Sequence, residues 1–187
     1  KTDGTGLRQI TKSEPDVDNY DACYLPSGKI IYDSTAIMQG VPCVGGGNTV
    51  ANLFLTDADG ATRRRLCFDQ DHDWCPAVMS DGRIMYSRWE YSDIPHYFSR
   101  LLFKMNPDGT GQSELYGSNS CWPNSMFYAR SIPGSPSKVV AIISGHHGVP
   151  RMGELIVFDT ARGQREIDGV MQRIPGRNRP VPAKIGD

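Results

Sequence analysis

Tight-turn motifs that recur about every fifty residues, strand-like apolar runs beside them, and the lack of helical periodicity predict an all-β fold. The architecture they predict is a partial β-propeller of about three four-stranded antiparallel blades plus one extra strand. The first turn series is Asp3-Gly4-Thr5-Gly6, Asp59-Gly60-Ala61, Asp108-Gly109-Thr110-Gly111 and, loosely, Thr160 to Gly163. Apolar runs precede the last three, at Asn52 to Thr56, Leu101 to Met105 and Leu155 to Phe158. A second series interleaves with the first: Ser27-Gly28 leads into Lys29 to Tyr32, Asp81-Gly82 into Arg83 to Tyr86, and Gly134 to Ser137 into Lys138 to Ala141. A tight turn followed by β-branched or aromatic residues is hairpin grammar. In a third series Asp73-Trp74-Cys75-Pro76 is echoed by Ser120-Cys121-Trp122-Pro123, so each repeat reads as four strands.

Boundaries follow from that spacing. Residues 7–12 read as one outer strand, 20–67, 74–116 and 122–168 as blades, and 169–187 as a tail containing Pro and Arg, all within one propeller region. Three blades fall short of the roughly four to eight of a closed ring. The chain is therefore expected to be an excerpt that associates with the remainder of a longer parent or with further copies of itself, because an open stack exposes an apolar blade face at each end. A β-sandwich is the runner-up, but it does not require turn chemistry to recur in one order at one period.

Composition narrows the partners. The 187 residues carry 20 Lys and Arg against 21 Asp and Glu, a formal charge of -1, which is not the polybasic profile of a nucleic-acid binder. The longest uninterrupted apolar run, Val139 to Ile143, is far short of the ~20 residues of a membrane-spanning helix. Twenty Gly and 13 Pro suit a turn-rich chain. The five cysteines, Cys23, Cys43, Cys67, Cys75 and Cys121, contain no Cys-x-x-Cys pair, so zinc-ribbon, thioredoxin and c-type haem motifs are absent from this segment. Cys75 and Cys121 read as small buried hydrophobes, with an inter-blade disulfide open as an alternative.

The segment Leu102 to Gly111 resembles TolB-type propeller repeats. Gln39 to Gly47 (QGVPCVGGG), Cys67 to Pro76 (CFDQDHDWCP), Tyr86 to Tyr97 (YSRWEYSDIPHY) and Ser144 to Leu155 (SGHHGVPRMGEL) together resemble the propeller region of proteins related to the alpha subunit of hydrazine synthase. The resemblance covers nearly the whole chain. It implies a propeller joined to c-type haem domains, an exported protein that is periplasmic or secreted, and a haem held only in a domain outside this chain. The Cys-x-x-Cys-His pentad of such a domain does not occur here, which separates electron transfer from this segment.

Strand parity yields an independent expectation. In an antiparallel four-stranded unit the first-to-second and third-to-fourth turns share one rim, and these are the short Ser-Gly, Asp-Gly and Gly-Thr turns. The long connections 33–50, 88–99 and 144–152, with the links 11–19, 68–73 and 117–121, share the other rim. Loops on a rigid scaffold concentrate binding residues. His72, Asp73, Trp74, Arg88, Glu90, His96 and Arg151 are the ligand-binding candidates on this rim, and His146 and His147 the metal candidates, for zinc or another transition metal. Adjacency makes joint ligation by both awkward, so one of the pair would ligate, with His72, His96, an Asp or Cys43 as partners. For the pair the plainer reading is capping of strand ends. For Asp69, Asp71, His72 and Asp73 it is Asx turns, since no EF-hand loop surrounds them. Trp74 and Trp122 read as inter-blade core, and Arg88 and Glu90 as ion-pair residues ahead of substrate contacts. Gly45 to Gly47 lacks the following Lys and helix of a P-loop, and no Gly-x-Ser-x-Gly elbow occurs. The expected role is a binding scaffold beside a redox domain; the alternatives are a metal-dependent enzyme site on the loop-rich rim and a TolB-like protein-interaction propeller.

Overall fold

In the computed structural model, which describes residues 1–42, 45–89, 100–118, 120–145 and 153–174, twelve strands form three consecutive four-strand units. The first holds β1 (Asn19–Tyr24), β2 (Ile30–Ser34), β3 (Asn52–Thr56) and β4 (Arg64–Arg65). The second holds β5 (Asp73–Val78), β6 (Ile84–Trp89), β7 (Arg100–Met105) and β8 (Ser113–Tyr116). The third holds β9 (Ser125–Ser131), β10 (Lys138–Ser144), β11 (Glu154–Asp159) and β12 (Val170–Ile174). Within each unit, strands pair antiparallel with their chain neighbours, and a single parallel bridge, Arg100 with Ser125, joins the second unit to the third. No α-helix occurs among the described residues, and none is long and apolar enough to cross a membrane. The chain is a partial β-propeller.

The reason the units stack is written in the middle strands. In β6, Ile84 and Tyr86 face the first unit while Met85 faces the third; in β7, Leu101, Phe103 and Met105 face the first and Leu102 the third. Alternation therefore feeds two separate cores, one between the first and second units around Ile31, Leu53 and Tyr86, the other between the second and third around Met85, Met126 and Phe158. A strand buried on both faces reads as a continuous apolar run, as IMYSRW and RLLFKM do. Each such side chain contributes about 1.5–3 kcal/mol of transfer free energy. A third cluster, with Val41, Val50, Trp74, Cys75, Trp89 and Phe127, closes the axis where the inner strands β1, β5 and β9 meet.

The short turns lie together on one rim, as parity required. Gly28 and Gly82 take the left-handed turn position at φ 83° and 84° and donate to Leu25 O at 2.9 Å and Met79 O at 3.0 Å. Asx bonds lock the remainder: Asp59 Oδ1 accepts from Ala61 N at 2.9 Å, Asp81 Oδ1 from Arg83 N at 3.0 Å, and Asp108 Oδ1 from Thr110 N at 3.0 Å.

Two boundaries differ from the sequence expectation. The third unit extends to Ile174, past residue 168, because β12 pairs with β11 inside the stretch read as tail; its exposed residues Met171 to Ile174 carry no burial pattern to announce a strand. Residues 7–12 form no strand. They lie against the first unit instead, with Arg8 Nη2 donating to Ala58 O at 2.8 Å and the Ile10 backbone carbonyl packed so close to Gly60 that a Cβ there would clash with it.

Each inner strand also carries the same fault. Asp21 in β1, Cys75 in β5 and Tyr128 in β9 adopt left-handed φ of 47°, 56° and 53°, each within a register shift of its pairing to the next strand. These are β-bulges placed once per unit. A left-handed non-glycine residue costs roughly 1–3 kcal/mol. Asp21→Val is accordingly expected to lower unfolding free energy by about 1–2 kcal/mol, whereas Asp21→Gly holds or raises it by up to ~1 kcal/mol. Urea unfolding of both variants checks this, and equal midpoints would remove the strain assigned to the bulge.

Candidate functional site

The loop-bearing rim is tied together by backbone groups. Asp73 N donates to Ala51 O at 3.0 Å and Arg100 N to Asn124 O at 3.5 Å, each crossing from one unit to the next, and Trp89 N donates to His72 O at 2.9 Å at the end of the β5–β6 ladder. His72 is fixed in tautomer by the same row: its Nδ1 accepts from Ala51 N at 3.0 Å, so the neutral ring carries its proton on Nε2, which is a hydrogen-bond donor in this arrangement.

Over this row three rings stack. His72 lies 4.5 Å from Trp74 with 18° between planes, and 6.3 Å from Trp89 with 6°; the two indoles are 6.3 Å apart. The Arg100 guanidinium sits 4.7 Å over Trp89 and 5.5 Å from the centroid of Trp74, a cation–π pair with both. Trp74 directly precedes the bulge at Cys75 and tilts against Phe127 of the third unit at 6.1 Å. Beside the stack, Asp71 is 1 % exposed and neither carboxylate oxygen has a hydrogen-bond partner. Burial pushes its pKa up to about 6, with the Arg100 charge opposing the rise.

Beneath the rim, between the first and second units, lies a second polar group. Arg88 Nη2 meets Asp69 Oδ1 at 2.6 Å while its guanidinium covers the Phe103 ring at 4.8 Å. Asn52 Nδ2 donates to Asp73 Oδ2 at 3.1 Å and to Asp71 O at 3.1 Å, and its Oδ1 accepts from Arg65 Nε at 3.1 Å. One ligand-capable atom from each of Cys67, Asp69 and Asp73 lies within 4.8 Å of the others. Burial drives the Cys67 thiol and the Tyr86 phenol well above their usual range, and Asp73 well above the carboxylate range, with Asp69 adding to the rise and Arg88 opposing it.

Of the candidates on this rim, His72 and Trp74 stand in the ring stack, and Asp73 and Arg88 in the polar group beneath it. Glu90, His96, His146, His147, Arg151 and Cys43 lie outside the described residues. Other expectations change. The carboxylates of Asp69 and Asp73 make no Asx turn: they reach to Arg88 and Asn52, because Leu66, Cys67 and Asp71 bury this side of the link while Phe68 and Gln70 stay exposed. Cys121 is exposed instead of buried, in a turn where its N–H is held by Glu166 Oε1 at 2.7 Å, and Cys23, Cys67 and Cys121 are free thiols. Asn52, Cys67, Tyr86 and Arg100 join the site without having been singled out for it. Their residue types are unremarkable alone, and only the register that sets Trp89 opposite Arg100 and Ser34 opposite Asn52 could have found two of them.

No family model and no curated protein matches the chain. Solved structures do. A TolB-assigned protein from Agrobacterium tumefaciens superposes with a TM-score of 0.59 at 16% identity, over 89% of this chain and 52% of that one. Puromycin hydrolase superposes with a TM-score of 0.51, also at 16% identity, over 85% of this chain and 22% of its own length. The chain thus spans about half the length of the first of these. At such identities the likeness shows architecture alone, and the architecture is that of a TolB-like β-propeller.

Proposed function

We propose that this chain is the binding scaffold of a hydrazine-synthase-alpha-like protein, periplasmic or secreted, whose loop-bearing rim docks and shapes a pocket beside a c-type haem domain carried elsewhere in the parent. The observation that carries the reading is an asymmetry of burial. Among the described residues twelve polar side chains are buried, and all except Thr56 sit in the half of the sheets nearest that rim. Burying polar groups costs free energy unless each is bonded, so a scaffold built only to stand would distribute them evenly or dispense with them. The rim adds a ring-and-guanidinium stack and the partnerless Asp71 carboxylate, while the opposite rim holds Asx turns and exposed ion pairs such as Lys29 with Asp57. The motif resemblance at Cys67 to Pro76 and Ser144 to Leu155 supports the finer assignment.

The open sheet faces supply the means of attachment. Tyr24 on the first unit and Leu155, Met171 and Ile174 on the third are exposed, where an adjoining blade would cover them. Mixing the chain with the remainder of its parent should give a stable complex by light scattering, and the natural full-length protein should show covalent haem by intact mass and visible absorption. No association, or a full-length protein without haem, overturns the respective half of the reading. A metal-dependent site on the same rim, with His146 or His147 as ligand and an Asp as partner, is the second reading, favoured by the partnerless Asp71 carboxylate there. Zinc, copper or iron at one equivalent that is lost in His146→Ala or His147→Ala would support it.

The same carboxylate makes the rim sensitive to pH. Because burial raises the Asp71 pKa from 3.8 to about 6, the folded chain holds more protons than the unfolded one between those values, so stability falls as pH rises through that window. The loss is on the order of 2–3 kcal/mol and is complete above about pH 6. Asp71→Asn should flatten the slope between about pH 4 and 6 and stabilise the chain at pH 7.5 by about 1–2 kcal/mol. Denaturant titrations across that range decide it; an unchanged slope would show that Asp71 is not the group responsible.

A further inference from the structure

We propose that Cys67, Asp69 and Asp73 form a buried site for a thiophilic divalent cation, zinc by its ligand preference, which joins the first unit to the second. The three contribute atoms within 4.8 Å of one another, a shell that a closure of about 1 Å brings to tetrahedral zinc spacing. Each carboxylate is already oriented by one oxygen and has the other to spare: Asp69 Oδ1 is taken by Arg88 and Asp73 Oδ2 by Asn52, while Asp69 Oδ2 and Asp73 Oδ1 are buried without a hydrogen-bond partner. That division of labour is what supported metal carboxylates show.

Tyr86 is the independent sign. Its side chain is 0 % exposed, its hydroxyl has no hydrogen-bond partner, and beside burial itself the groups acting on it are Cys67, Asp73 and Asp69, with Arg88 opposing them. A phenol oxygen buried beside a thiol and two carboxylates has a natural role as fourth ligand or as donor to one. Charge points the same way. In the metal-bound form a thiolate and two carboxylates against the Arg88 guanidinium would carry a net charge of about -2, which one dication offsets. The thiolate favours zinc over magnesium or calcium. The site is enclosed and structural, and it is separate from both the docking role of the rim and the histidines of the second reading.

The test uses the full chain and two probes, zinc alone and cobalt alone. The chain purified without chelator or affinity tag should carry zinc near one equivalent. Cobalt added after chelation should give tetrahedral visible bands and a thiolate-to-cobalt absorption, and zinc at about 100-fold excess over Kd should raise Tm by about 5–10 °C. Cys67→Ser should abolish the thiolate band, Cys121→Ser should keep it, and Tyr86→Phe, which retains the ring, should weaken cobalt binding about tenfold. If Cys67→Ser does not fold, the wild-type spectrum and Tyr86→Phe still decide. Absence of metal and of the thiolate band, or a band that survives Cys67→Ser, overturns the site and leaves protons as what neutralises these carboxylates.

Discussion

A sheet whose central strands are apolar on both faces must be covered twice, and that requirement governs the whole molecule. β6 and β7 cannot be satisfied by their own unit, since Tyr86 and Phe103 look to one neighbour and Met85 and Leu102 to the other. The cores therefore form between units, and radial stacking follows from alternation alone. It follows too that the order of the sheets is fixed: each interface has its own shape, with sulfur-rich packing around Met105 and Cys67 on one side and the Tyr116–Phe158–Trp122 aromatic contacts on the other.

Once packing is settled between the sheets, the two rims are free to diverge. On the short-turn rim, side-chain hydrogen bonds from Lys29, Arg83, Thr110 and Ser137 hold Asp57, Asp81, Asp108 and Asp159 below the usual carboxylate range, with backbone bonds adding at the last three. The other rim spends its polar groups between units. There, Asn52 serves Asp73, Asp71 and Arg65 at once, so the first unit's third strand, its outer edge and the link to the second unit share one amide. A rim built in this way is stiff in backbone yet retains unfilled bonding capacity, which is a sound basis for recognising a partner.

Much of this was legible in the sequence. Turn chemistry at Ser27-Gly28, Asp81-Gly82 and Asp108-Gly109 set the period, the strand count and the division of connections between rims, because turns are local and their residues act on their own backbone. What escaped depends on distance in the chain. Asp69 and Asp73 looked like turn formers because the partners that claim them, Arg88 and Asn52, stand about twenty residues away on other strands. β12 went unread because an outermost strand pairs along one edge and keeps four of its five residues exposed, so burial writes no pattern into it. The stack of His72, Trp74 and Trp89 was half visible: Trp74 was placed on the rim, but Arg100, which completes it, becomes a neighbour only through the β6–β7 ladder.

The bulges at Asp21, Cys75 and Tyr128 set the frame in which each inner strand is read. Beyond each of them the side chains have exchanged sides relative to an unbroken ladder. Trp74 reaches the axis while Ala77, three positions later, belongs to the interface with the third unit. Deleting a single residue at one of these points would mend the hydrogen-bonding and ruin the assignment of allegiances, turning axial side chains toward a flank and flank side chains toward the axis. An irregularity that looks like damage in one strand is thus the hinge of meaning by which a linear text addresses three different surroundings.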